Sequence, residues 1–127
     1  MVKGFDIPVG DMERAGKFYE EIFGWEVRKV QGSGGDFHSV RTVPVNEDGD
    51  PSIPGGINGG LYLRGTDGLE TPFLEIRVDS IDSIVERIVV AGGMVVKDRS
   101  PILDIAFFAV VKDTEGNLIG LWEDVRT

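Results

Sequence analysis

Two carboxylates, Asp6 and Glu75, and one histidine, His38, are the residues of this 127-residue chain best suited to proton chemistry. Asp6 and Glu75 stand 69 residues apart (75 − 6 = 69), and the same offset relates Val9 to Val78, Met12 to Ile81, Gly24 to Gly93 and Val27 to Val96. Repetition at a fixed offset marks one structural unit used twice. The two carboxylates therefore hold equivalent places, and they would meet if the copies faced each other. Two neighbouring carboxylates split their pKa values and could serve as acid and base, or could hold a displaced metal with His38. The competing reading is structural: Arg77 neutralises Glu75 and Asp6 stays solvated, because perturbed carboxylates also occur in ion-pair networks. His38 is the sole imidazole, a general-base candidate or an ordinary surface residue. Ser33, Ser39 and Ser52 lack the strand–turn–helix surroundings of an activated nucleophile. With no cysteine in the chain, covalent catalysis has no support.

The elements that would position these residues can be read from hydrophobic period. Lys3 to Val9 alternates as a strand, with Phe5, Ile7 and Val9 on one face and Gly4, Asp6 and Pro8 on the other. Asp11 can cap a helix whose stripe is Met12, Ala15, Phe18, Tyr19, Ile22 and Phe23, with Gly24 to end it. Phe18, Tyr19, Phe23 and Trp25 then read as core. Strands follow at Trp25 to Val30, Phe37 to Val43 and Ile57 to Leu63. Gln31 to Asp36 is a turn, and Pro44 to Gly56 a long surface loop of the kind that is functional or mobile. Its NEDGD segment lacks the regular ligand pattern and closing glutamate of a calcium loop. After a link at Arg64 to Thr71 the scheme repeats. Phe73, Glu75 and Arg77 share one strand face against Leu74, Ile76 and Val78. Ser80 caps a helix striped by Ile81, Ile84, Val85 and Ile88. Strands begin at Met94, Ile105 and Leu118, the last two joined by a DTEGN turn.

Composition bounds the function. One domain of two repeats is expected, with modules at 1–66 and 67–127, since domains commonly hold roughly 100–150 residues. The net charge of −9 argues against nucleic acid, which needs a basic surface. No long apolar stretch suggests membrane insertion, and the lack of cysteine fits a reducing compartment. A cytoplasmic protein is expected.

Two βαβββ units with a glycine-led entry to the second strand, carried by IPVGDMERAGKFYEEIFGWEV, VDSIDSIVERIVVAGG, INGGLYLR and DTEGNLIGLWE, resemble the vicinal oxygen chelate superfamily. That group includes glyoxalase I, extradiol dioxygenases, fosfomycin-resistance enzymes and bleomycin-resistance proteins. The resemblance covers nearly the whole chain. It implies an α+β fold in which two βαβββ modules form an incomplete eight-stranded barrel around a cup, with helices outside. It also implies a homodimer, which would cover open strand edges.

In metal-using members each module gives the cup one His, Glu or Gln from its first strand and one from its last. Those positions here fall on Gly4, Gly60, Phe73 and Gly120, whose side chains are not donors for a divalent metal. No cofactor is expected, although a divalent metal held by other residues stays open. The cup would be lined by Asp6, Tyr62, Phe73, Glu75, Arg77 and Trp122, an aromatic wall with a few polar groups, as small-molecule sites usually are. The expected function is a bleomycin-resistance-like capture of a small organic ligand. The alternative is a lyase, isomerase or dioxygenase-type enzyme acting on a small carbonyl or diol compound through Asp6, Glu75 or His38.

Overall fold

The computed structural model describes residues 1–32, 34–66 and 69–125; Ser33 and the module boundary expected at residue 67 lie outside them. The chain is α+β, with elements β1 (Val2–Val9), α1 (Met12–Phe23), β2 (Glu26–Lys29), β3 (Phe37–Arg41), β4 (Asn58–Leu63), β5 (Phe73–Arg77), α2 (Ile81–Val90), β6 (Met94–Ile102), β7 (Ala106–Lys112) and β8 (Leu118–Asp124). The eight strands lie in one hydrogen-bonded order, β2-β3-β4-β1-β5-β8-β7-β6, and β–α–β–β–β occurs twice along the chain. The chain divides into two compact units, Gly4–Pro72 and Phe73–Thr127, with Met1–Lys3 belonging to the second.

In the unit Gly4–Pro72 the strand order is β2-β3-β4-β1, and β4 runs parallel to β1. Asp11 stops the strand and starts the helix, because its carboxylate accepts the Arg14 amide at 2.9 Å and so satisfies a donor that has no partner inside the helix. Gly24 ends α1 at φ 70°, a left-handed conformation that glycine adopts without a Cβ clash. Val9, Val40 and Leu61 form the buried centre, with Phe5, Ile7, Met12, Ala15, Tyr19, Trp25 and Val27 packed on it. The apolar stripe of α1 is wider than the surface it covers. Phe18, Ile22 and Phe23 are exposed by 53%, 61% and 58%, so the expectation that the aromatic run is core holds only for Tyr19 and Trp25. These two rings stack at 5.0 Å, and Phe18 and Phe23 lean against the outside of that pair. Edge strand β2 has four residues, too few to lie under the whole stripe.

The long loop is held by asparagines. Asn46 Oδ1 accepts from the amides of Asp48 and Asp50, and Asn58 bonds the backbone of Thr42 and Val43.

In the second unit the order is β5-β8-β7-β6, with β5 parallel to β8 and the other neighbours antiparallel. Ser80 caps α2 through the Ser83 amide at 3.2 Å. Glu123 Oε1 adds a bond from the Ile81 amide at 2.7 Å, placing a negative charge at the positive end of the helix. Ile81, Ala109, Val111 and Leu121 form the buried centre between α2 and the sheet, with Ile76, Val78 and Ile119 against them. One face of β5, β7 and β8 is thereby committed to the helix. The residues that alternate with these occupy the opposite face. No helix among the described residues is long and apolar enough to cross a membrane.

Candidate functional site

The face of the second unit's sheet opposite α2 carries Phe73, Glu75 and Arg77 from β5, Trp122 from β8 and Phe108 from β7. Strand register sets Glu75 beside Gly120, Arg77 beside Trp122, and Phe108 beside Trp122. Phe73 and Phe108 are buried, at 6% and 8% exposure. Asp124 ties the polar rim together: its Oδ1 accepts the Trp122 indole N–H at 2.8 Å, and its Oδ2 lies 3.2 Å from Arg77 Nε. The indole is thus tied to its own strand.

Glu75 is buried at 6% exposure, and the cation beside it is Lys3, whose Nζ lies 3.4 Å from Oε1. Lys3 Nζ also sits 3.9 Å from the centroid of the Trp122 ring. The expectation that Arg77 neutralises Glu75 is therefore replaced by a different pairing, Lys3 with Glu75 and Arg77 with Asp124. Backbone bonds between Met1 and Arg77 bring the start of the chain into place, with the Arg77 amide donating to Met1 O at 2.9 Å and the Met1 ammonium to Arg77 O at 3.4 Å.

In the first unit, register places Asp6 beside Gly60 and Pro8 beside Tyr62, on the face turned away from α1. Asp6 is 4% exposed, so it is not the solvated carboxylate of the structural reading. Tyr62 donates its hydroxyl to Thr71 O at 3.0 Å. Burial, and then the negative charges of Asp6 and Glu70, push its pKa up to about 12, because each of these disfavours a phenolate. His38 pairs with Leu61 and Lys29. It therefore shares the face that bears Leu61 and Val40, opposite the one carrying Asp6 and Tyr62. Burial and the charge of Lys29 lower its pKa.

The positions given to metal ligands by the family resemblance have distinctive surroundings. A Cβ at Gly60 would enter the ring of Phe37. At Gly120 it would lie 2.9 Å from Phe73 Cε2 and 3.1 Å from the Phe108 ring. At Gly4 it would run into the carbonyl of Asn58. Aromatic rings and backbone fill the space where side chains would project. Among the described residues no group of three or more His, Asp or Glu could hold a metal ion.

Residues 2–121 match the family model described as the Glyoxalase/Bleomycin resistance protein/Dioxygenase superfamily. The chain belongs to this superfamily. Within the glyoxalase superfamily it is similar to the Mycobacterium tuberculosis protein CFP32, which is called a glyoxylase by name, at 30% identity over 125 residues. That match takes in 95% of this chain but 44% of the mycobacterial protein, so the chain spans about half the length of that relative. A glyoxylase-like domain-containing protein of Didymella fabae is 27% identical over 120 residues, covering 91% of this chain and 88% of the fungal one.

Solved structures share the glyoxalase fold at lower identity. A variant of Streptomyces coelicolor methylmalonyl-CoA epimerase in complex with 2-nitronate-propionyl-CoA superposes with TM-score 0.67 at 16% identity, covering 98% of this chain and 97% of that one. A superfamily member from Vibrio splendidus 12B01 gives 0.62 at 12% identity, covering 98% and 100%.

Four contributors to the two faces escape the sequence pattern: Lys3, Phe37, Phe108 and Asp124. Lys3 falls in phase with Phe5, Ile7 and Val9 along its strand, yet its ammonium lies 3.4 Å from Glu75 Oε1. Phe37 and Phe108 read as ordinary strand aromatics, and only their side-chain positions in the fold set each ring against a glycine, Gly60 and Gly120.

Proposed function

We propose that this glyoxalase-superfamily chain captures a small organic ligand on the aromatic face of its second unit, without a bound metal. The observation that carries this reading is the fixed Trp122 ring, held by Asp124 beside the buried carboxylate of Glu75. A flat, immobilised aromatic surface next to a few polar groups is what small-molecule recognition requires. The residues at positions 4, 60, 73 and 120 do not fit a divalent cation: three are glycine and one phenylalanine, and rings close over Gly60 and Gly120. Tryptophan fluorescence tests the reading. Saturable quenching by a member of an organic-ligand panel, lost in Trp122→Phe, is the expected result; an unchanged spectrum across the panel rejects it.

A second reading, an enzyme acting on a small carbonyl compound, draws on the burial of both Asp6 and Glu75. A carboxylate held beside a bound carbonyl compound can remove a proton from the adjacent carbon. The names of the relatives, glyoxylase and methylmalonyl-CoA epimerase, point to the same substrate class. Solvent deuterium entering a 2-oxo acid or acyl thioester, abolished in Asp6→Asn or Glu75→Gln, would establish turnover. Stoichiometric metal lost on Glu75→Ala would establish a displaced ion.

We further propose a cytoplasmic homodimer. Open strand edges at β2 and β6 are better tolerated when paired or covered, and a chain without cysteine suits a reducing compartment.

A further inference from the structure

Lys3 stands where a cationic ligand would stand. Its Nζ has a ring face at 3.9 Å and a carboxylate at 3.4 Å, the two partners that organic ammonium groups seek in proteins. We propose that Trp122 and Glu75 form a seat for an organic ammonium ion, with Lys3 as a tethered occupant that the incoming cation displaces. This rests on the ligand-capture reading and adds the ligand's class.

Five features favour exchange. Oε1 of Glu75 receives no hydrogen bond among the described residues, so this oxygen is balanced by Lys3's charge rather than by a directional bond. A second cation can supply the same charge. The Lys3 side chain is 28% exposed while that of Glu75 is 8% exposed, so the lysine can swing into water and leave the carboxylate buried. A primary ammonium is strongly hydrated and returns readily to solvent, whereas a quaternary ammonium is weakly hydrated and gains more from the ring face. The indole is already held by Asp124, so the aromatic partner needs no rearrangement. The net charge of −9 draws cations toward the protein.

The test uses choline and its uncharged carbon analogue, 3,3-dimethyl-1-butanol, on the full chain. The readout is the Trp122 indole N–H resonance, assigned with Trp122→Phe. Choline is expected to shift that resonance saturably in the unaltered protein. In Lys3→Met, which keeps the apolar stem, half-saturation should come at a concentration about tenfold lower or less. The neutral analogue should leave the resonance unmoved, and Glu75→Gln should abolish the choline response. Equal choline affinity with and without Lys3, or equal response to the neutral analogue, overturns the proposal. If neutral aromatic compounds alone shift Trp122, the cation seat fails and ligand capture stands. If no compound of any class moves it, both fail. Should Lys3→Met be unfolded in buffer, choline but not the alcohol must restore its dispersed spectrum; failure to do so also overturns the proposal.

Discussion

Asp124 does two jobs at the rim, and two substitutions separate them. Asp124→Asn keeps an oxygen for the Trp122 indole but loses the charge pairing with Arg77; Asp124→Ala loses both. Nitrogen relaxation of the indole should show an ordered ring in the first and a mobile one in the second, for a hydrogen bond worth about 1 kcal/mol. Tyr62 offers a pH test. Its folded-state pKa of about 12 lies above the ordinary value of 10.0, so the folded chain holds the proton more tightly than the unfolded one. The resulting stabilisation is complete below pH 10 and is lost as pH rises toward 12. A phenolate absorbance titration should show a late phase that Tyr62→Phe removes. At this scale the sequence showed which residues share a strand face, because alternation is a backbone property. It did not show Lys3 reaching Glu75, since side-chain reach leaves no periodic trace.

The elements were the most legible level. Asp11 and Ser80 cap the helices as their spacing implied, and the offset of 69 residues carries the order of strands and helix from one unit to the other. Width of burial was less legible: the helical period of α1 marks six apolar residues without showing how much sheet lies under them. Leu61→Ala, at a position with 0% exposure, should cost about 2–5 kcal/mol. Phe18→Ser, at 53% exposure, should cost under about 1 kcal/mol, and urea unfolding of the two variants compares them. Neighbouring rings explain two of the glycines, Gly60 and Gly120. Gly60→Ala forces a methyl group into Phe37 and should destabilise by about 1–3 kcal/mol. Phe37→Leu should recover part of that loss in the double variant, a coupling that a mutant cycle reads directly.

For the molecule as a whole, membership of the glyoxalase superfamily fixes the fold and leaves the chemistry to the site. A homodimer is the expected solution state, and sedimentation equilibrium should return twice the 13.9 kDa chain mass; a monomer at micromolar concentration would remove pairing from the proposal. The ligand is proposed to be held by an aromatic wall and not by a bound metal ion. This claim is tested most directly by titrating a ligand that shifts the Trp122 indole resonance before and after exhaustive dialysis against EDTA. The expected result is the same saturable curve in both samples. A shift that vanishes with the chelator and returns with zinc, nickel or manganese would contradict the claim.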